Sequence, residues 1–318
     1  MSREVRCLIS WQDLKEKEFS SPRWLIEPYI PADGIVLLWG ETSTGKSPLG
    51  WHMAAAVGAG TNFFGLPATA GRVLYLEVDT PQRLVHQRVS VLEPPPNVDF
   101  LFLPPLSVPT PAPSDLAMLE RAAMRGYDMV IINTLRKVHD LNDKEAQTPK
   151  IVYSWFQHLF PGTALVFVHH SKKSQLVDGK STHGRDKESF SGAMNWLNDA
   201  QVGLFLQRYE NEREGVNIRL CHEKSQVSEL IGYMGLNLDP KDGVTLRCPK
   251  FERYFSVWEM MNSRPDLKGS ALDDYLAAGL GCSRQHAAKF RHSVEDGVFP
   301  GAKWLGYRGK DEEASFQV

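Results

Sequence analysis

Short runs of consecutive apolar residues alternate along the chain with stretches whose apolar positions recur every three to four residues. That alternation is the signature of buried parallel strands separated by helices. Residues 35–39, 73–79, 129–132 and 164–168 read as buried strands, and residues 48–57, 82–92, 116–124 and 150–160 as the helices among them. Pro48 suits a first helical turn, and Pro94-Pro95-Pro96 stops the second helix. The proline-rich stretch 104–113 is a surface connection. Residues 202–208, 216–221, 231–238 and 244–248 are shorter strands with turns at 211–215 and 240–243, a hairpin pattern that predicts an antiparallel extension of the same sheet. Beyond residue 262 helices 267–278 and 283–296 flank Gly279-Leu280-Gly281-Cys282, with a small hairpin at 298–307 behind them: a helix-turn-helix with a wing. The expected fold is α/β, with a mainly parallel central sheet, an antiparallel extension and a small C-terminal winged-helix-like domain. Residues 1–30 form a strap, 31–260 the main domain and 261–318 the appendage.

Composition narrows the class. The 318 residues carry 36 Lys+Arg against 38 Asp+Glu, so any nucleic-acid surface has to be local. Residues Cys7, Cys221, Cys248 and Cys282 are far apart, without a C-x-x-C pair, and read as reduced thiols. No run reaches the ~20 apolar residues of a membrane span, and Met1-Ser2-Arg3-Glu4 opens no signal peptide; a cytoplasmic location without membrane contact is expected. Basic residues concentrate on the last helix, at Arg284, Lys289 and Arg291 with His286 and His292; all are expected to be exposed behind Ser283 as N-cap. A lid or oligomerisation piece is the alternative to DNA contact there.

Chemistry is concentrated between the first strand and the first helix. Gly40-Glu41-Thr42-Ser43-Thr44-Gly45-Lys46-Ser47, followed by Pro48, satisfies G-x-x-x-x-G-K-[ST] in the context the mechanism requires. Glycines let the loop wrap so that backbone N–H groups and a helix N-terminus converge on phosphate oxygens. Lys46 is then placed for the β- and γ-phosphates of ATP and Ser47 for Mg²⁺. Hydrolysis also needs a carboxylate to orient and deprotonate water. Glu77 and Asp79 compete for this role: strand alternation points both to one side, but Asp79 lies at the carboxyl end where ligands sit and is favoured, and Glu77 has the alternative role of a polar anchor in the sheet. The third strand ends in Asn133, whose amide can hold a Mg²⁺-bound water but brings no charge. His169-His170 closes the fourth strand as a polar switch beside the γ-phosphate; with no third ligand nearby, zinc is disfavoured. Residues 171–191 then have the composition of a mobile loop.

Several stretches resemble the RecA-like P-loop ATPases and, within them, the hexameric replicative helicases of the plasmid RepA and DnaB kind. They are, in order, Trp24-Leu25 to Pro31-Ala32-Asp33-Gly34, the phosphate loop, Val73-Leu74-Tyr75 with Asp79-Thr80-Pro81 and Arg88, Asn133 to His139, and Val168-His169-His170-Ser171. The resemblance covers roughly residues 20–250. It implies a RecA-like core, a homo-oligomeric ring with catalytic sites completed between subunits, and single-stranded DNA in the bore. It further implies that Lys172, Lys173, Lys180, Arg185 and Lys187 grip DNA phosphates, against the alternative of a solvated insertion, and that Lys224 senses a neighbour's γ-phosphate. Three positions depart from the family. Asn133 stands for an aspartate, Asp79 for a glutamate, and Gln201 for the arginine finger, unless Arg208, Arg213 or Arg219 replaces it. The expected function is a DNA helicase or translocase in replication. A RecA-like recombination or annealing ATPase, and an ATP-switched DNA-binding regulator, are the alternatives.

Overall fold

The computed structural model describes residues 8–17, 23–93, 95–143, 145–170, 176–177, 180–181, 195–213 and 215–297. Among them nine strands form one sheet: β1 Ile35–Gly40, β2 Val73–Glu77, β3 Val98–Phe102, β4 Met129–Asn133, β5 Ala164–His170, β6 Val202–Asn211, β7 Val216–Ser225, β8 Tyr233–Leu238 and β9 Leu246–Arg247. Their order across the sheet is β9-β8-β7-β6-β1-β5-β4-β2-β3. From β6 to β3 all neighbours are parallel, and from β6 to β9 all are antiparallel. The mainly parallel core with its antiparallel extension is therefore the observed architecture. The helices are α1 Trp11–Glu16, α2 Lys46–Ala59, α3 Gln82–Val89, α4 Pro113–Ala123, α5 Thr148–Leu159, α6 Asn195–Asp199, α7 Pro249–Ser263, α8 Gly269–Leu280 and α9 Arg284–Glu295.

The alternation of strand side chains builds two cores. Val36, Leu38, Tyr75, Ile131, Val166 and Val168 face α2 and pack with Leu49, Met53 and Val57 of that helix. Ile35, Leu37, Leu76, Ile132, Leu165 and Phe167 face the other way, onto Leu119 of α4 and Val152 and Phe156 of α5. Burial on both faces explains why the central strands are continuously apolar rather than alternating.

Four expectations change. The strand expected over 73–79 stops at Glu77, so Asp79 follows the strand instead of belonging to it. The edge strand β3, Val98–Phe102, lies between the triple proline and the proline-rich connection, where no strand was expected; it pairs with β2 and is half-buried, so its apolar pattern is weak. The helix α7 straddles the expected boundary at 260, and its Val257 joins Leu272, Leu276, Ala287 and Val294 in a small apolar cluster with α8 and α9. Arg291 is not an exposed basic residue: its side chain is 12% exposed and binds Asp273 at 2.7 Å and Glu295 at 2.7 Å. Arg284 similarly lies 3.3 Å from Asp274, so acidic residues offset two of the last helix's arginines. The helix-turn-helix outline is present, with Gly281 at φ 62 ending α8 and the Ser283 hydroxyl accepting from the His286 N–H at the start of α9. The hairpin expected at 298–307 lies outside the described residues.

Candidate nucleotide site

The site lies at the carboxyl edge of the sheet, where β1 stands between β5 and β6. Gly40 ends β1 against the β6 backbone; a Cβ there would collide with the Leu206 carbonyl oxygen, so only glycine lets the loop leave the sheet at this point. Gly45 adopts φ 94 as the N-cap of α2, a left-handed conformation that costs a glycine little. Between them the Thr44 hydroxyl donates to the Glu41 carbonyl at 2.9 Å and fixes the curl of the loop. The N-terminus of α2 is thereby aimed at the concavity of residues 40–48, which can take a polyphosphate on its N–H groups.

Lys46 is buried, and its Nζ donates to the Gly40 carbonyl at 2.8 Å and the Glu41 carbonyl at 2.6 Å. Burial pulls this ammonium down to about 8, with Glu41 opposing the shift. A bound polyphosphate restores the charged form. Nucleotide binding is therefore expected to take up protons at about pH 9 and none at about pH 6. Calorimetry in two buffers of different ionisation enthalpy reads this directly; proton-neutral binding at the higher pH contradicts it.

Register brings the remaining groups to the same edge. Glu77 pairs with Asn133 across β2 and β4, and Gly40 with His170 across β1 and β5. Glu77, Asn133 and His170 have the parity of Tyr75, Ile131 and Val168, so they lie on the α2 side of the sheet, near the helix start. Asn133 Nδ2 donates to Glu77 Oε2 at 2.7 Å and lies 3.4 Å from Ser47 Oγ. Glu77 Oε1 accepts from the Asp79 and Thr80 N–H groups at 2.9 and 2.8 Å. Burial raises the Glu77 carboxyl against these donors. Glu77 thus has the contacts of an anchor, and Asn133 links it to Ser47.

Asp79 is exposed, with Lys137 at 3.9 Å, a contact the sequence did not suggest because the two lie in separate loops. His170 is held toward its neutral form by burial and then by the charge of Lys46, with Asp79 opposing. The two histidines part company: His170 is near the loop, whereas His169 lies on the opposite face, its ring 6.5 Å from that of Trp196. Among the described residues no group of three or more His, Cys, Asp or Glu could cage a metal ion. The donors present, the Ser47 hydroxyl, the Asn133 amide and the Glu77 carboxylate, instead suit Mg²⁺, which keeps several waters and takes oxygens from substrate phosphates.

The residues expected to reach a neighbouring subunit make these contacts within the chain. Lys224 Nζ donates to the carbonyls of Leu197, Asn198 and Ala200 at 2.8, 2.6 and 2.6 Å, clamping the end of α6. Gln201 Oε1 accepts from the Ile35 N–H at 2.6 Å, at the edge of the sheet opposite the phosphate loop. Arg219 lies over the rings of Tyr209 and Tyr233 at 4.7 and 5.6 Å, while Arg208 and Arg213 are exposed on the β6–β7 hairpin. Lys172, Lys173, Arg185 and Lys187 lie outside the described residues. Lys180 falls in a two-residue strand, Lys180–Ser181, paired with Leu176–Val177. No described helix is long and apolar enough to cross a membrane.

A family model described as AAA domain matches residues 2–175. No curated protein matches the chain. Among solved structures, the ATPase domain of G40P aligns with a TM-score of 0.50 at 12% identity, over 68% of this chain and 84% of that one. A DnaB-like replicative helicase, solved in a study of its interactions with primase, aligns at 0.49 and 11% identity, over 68% of this chain and 57% of its own. A KaiC-like protein from Pyrococcus horikoshii OT3 aligns at 0.44 and 12%, over 70% and 92%. At such identities the G40P likeness establishes the fold.

Proposed function

The chain belongs to the AAA domain family and is an ATPase of RecA-like fold, and from that premise we propose that it is an ATP-driven helicase or translocase on single-stranded DNA, working in replication as a ring-shaped homo-oligomer. One observation carries this reading. The strand β5 ends at His170, next to Lys46 and Asp79, and the chain continues directly into Lys172 and Lys173. A change at the γ-phosphate is therefore transmitted through a single peptide segment to a basic stretch suited to nucleic-acid phosphates. The other parts have assigned roles. Residues 40–48 cradle ATP, Lys46 neutralises the transferring phosphoryl group, and Ser47 with Asn133 holds the Mg²⁺ that offsets charge on the phosphates. Asp79 orients and deprotonates the attacking water, and His170 reports the state of the γ-phosphate.

The order of sequence motifs, which resembles that of the replicative helicases, supports the DNA-coupled reading over a recombination ATPase. The loss of Arg291 and Arg284 to acidic partners removes charge from the surface a duplex-reading regulator would use. The test is ATP turnover with and without single-stranded DNA, together with strand binding across a salt series. Single strands are expected to stimulate turnover. Replacing Lys172 and Lys173 together by alanine is expected to flatten the slope of log affinity against log salt by about 1.4, two phosphate contacts at ~0.7 each. Nucleotide binding without DNA-stimulated turnover would reject the motor and favour an ATP-switched DNA-binding protein.

A further inference from the structure

The carboxylate that a phosphate loop needs next to its Mg²⁺ belongs at the end of β4, and there this chain carries an amide, Asn133. Directly across the ladder, at the end of β2, stands Glu77, its register partner. Both side chains are buried, each 1% exposed, and they share a 2.7 Å hydrogen bond. We propose that Glu77 supplies the charge of the missing β4 aspartate, acting through Asn133, whose amide oxygen takes the metal-bound water, the pair having exchanged carboxylate and amide across adjacent strands. This rests on the nucleotide-site reading above and deepens it.

Geometry favours the exchange. β2 and β4 are parallel neighbours, so a residue moved from the end of one to the end of the other is displaced by a single inter-strand spacing of ~5 Å and stays on the same face. Glutamate is one methylene longer than aspartate and recovers part of that distance. Glu77 Oε1 is tied by the two N–H groups of the turn at Asp79 and Thr80, which leaves Oε2 directed at Asn133. Because a carboxylate can only accept there, the Asn133 amide is oriented with Nδ2 toward Glu77 and Ser47. Its Oδ1 is buried and accepts no hydrogen bond from any described group. A buried acceptor without a donor is costly, and a metal-bound water is a donor. A purely structural anchor would not need this orphaned oxygen. Glu77 is thus a positioning residue, acting on the metal through Asn133 and water.

The test measures Mn²⁺, as a paramagnetic substitute for Mg²⁺, binding to the full chain loaded with a non-hydrolysable ATP analogue, by electron paramagnetic resonance. Analogue affinity without metal is measured in parallel. Glu77→Gln keeps an oxygen for the two N–H contacts, removes the charge and replaces the acceptor of the Asn133 amide by an N–H₂ group. It is expected to weaken Mn²⁺ binding by about 10- to 100-fold, the usual effect of losing a partner just outside the ligand shell, with metal-free analogue affinity unchanged. Glu77→Gln with Asn133→Asp returns the charge to β4 and keeps the hydrogen bond with its donor and acceptor exchanged; it is expected to recover most of the loss. Mn²⁺ affinity indifferent to Glu77→Gln, or a double variant no better than the single, overturns the proposal. Should the single variant not fold, the double variant decides: parity with the native chain supports the exchange, and a gain or a loss of about 10-fold or more overturns it. If the native chain binds no analogue at all, the nucleotide-site reading fails and takes this one with it. If it binds the analogue and Mn²⁺ ignores Glu77, only the exchange fails.

Discussion

Asp79→Asn is expected to lower ATP turnover by about 10²- to 10⁴-fold, the range for removing a positioned general base, while nucleotide affinity barely changes. The expectation comes from how differently the two carboxylates at the end of β2 are placed. Glu77 is enclosed, and both of its oxygens accept from protein donors. Asp79, two residues on, has left the strand, is exposed, and has a lysine at the long distance of 3.9 Å. Of the two carboxylates, Asp79 is the one open to solvent. The variant keeps size and shape, so a fall in turnover with analogue binding intact isolates the proton acceptor. Turnover within a few fold of the native chain would assign the base elsewhere, with His170 as the next candidate, since it is held toward its neutral form in the same corner.

Lys46→Ala is expected to lower turnover by at least about 10²- to 10³-fold, the effect of removing one preorganised donor to developing charge, and to weaken ATP binding with it. The buried ammonium is held by two carbonyls at the root of the loop, so it is positioned before nucleotide arrives. Its folded-state value of about 8 lies below the ~10.4 of an unfolded lysine. The unfolded chain therefore binds more protons between those values, and native stability from this group rises as pH climbs through that window. Lys46→Ala removes the penalty, so the variant's stability should lose this pH dependence. Radiolabelled ATP turnover and thermal unfolding across the window check both effects. Undiminished turnover would mean that the measured ATPase resides elsewhere.

The phosphate loop, the four central strands and the antiparallel extension were legible because each depends on local signals: glycines at fixed spacing, doubly buried apolar runs, and turn residues. β3 and α7 were not. An edge strand half-open to solvent has a weak pattern, and α7 gains its stability from α8 and α9 rather than from its own periodicity. At the site, the sequence supplied Lys46, Ser47, Glu77, Asp79, Asn133 and His170 as candidates and favoured Asp79 of the two carboxylates from its place along the strand alone. Alternation placed Glu77 and Asp79 on one side, and that rule lapses at the residue where the strand stops.

Charge shows the same division. Arg291 reads as a free basic residue from its helical position, and it is consumed by Asp273 on α8, 18 residues away. Lys224 is a plausible phosphate sensor by motif, and its three donors meet the carbonyls at the end of α6. The sequence by itself determined that this protein has a phosphate-binding loop on a buried parallel sheet, because those features are encoded in residues adjacent along the chain. Tertiary structure alone decided which charges remain available and that Glu77 faces Asn133, because register between β2 and β4 joins residues 56 positions apart, and burial fixes what each can touch.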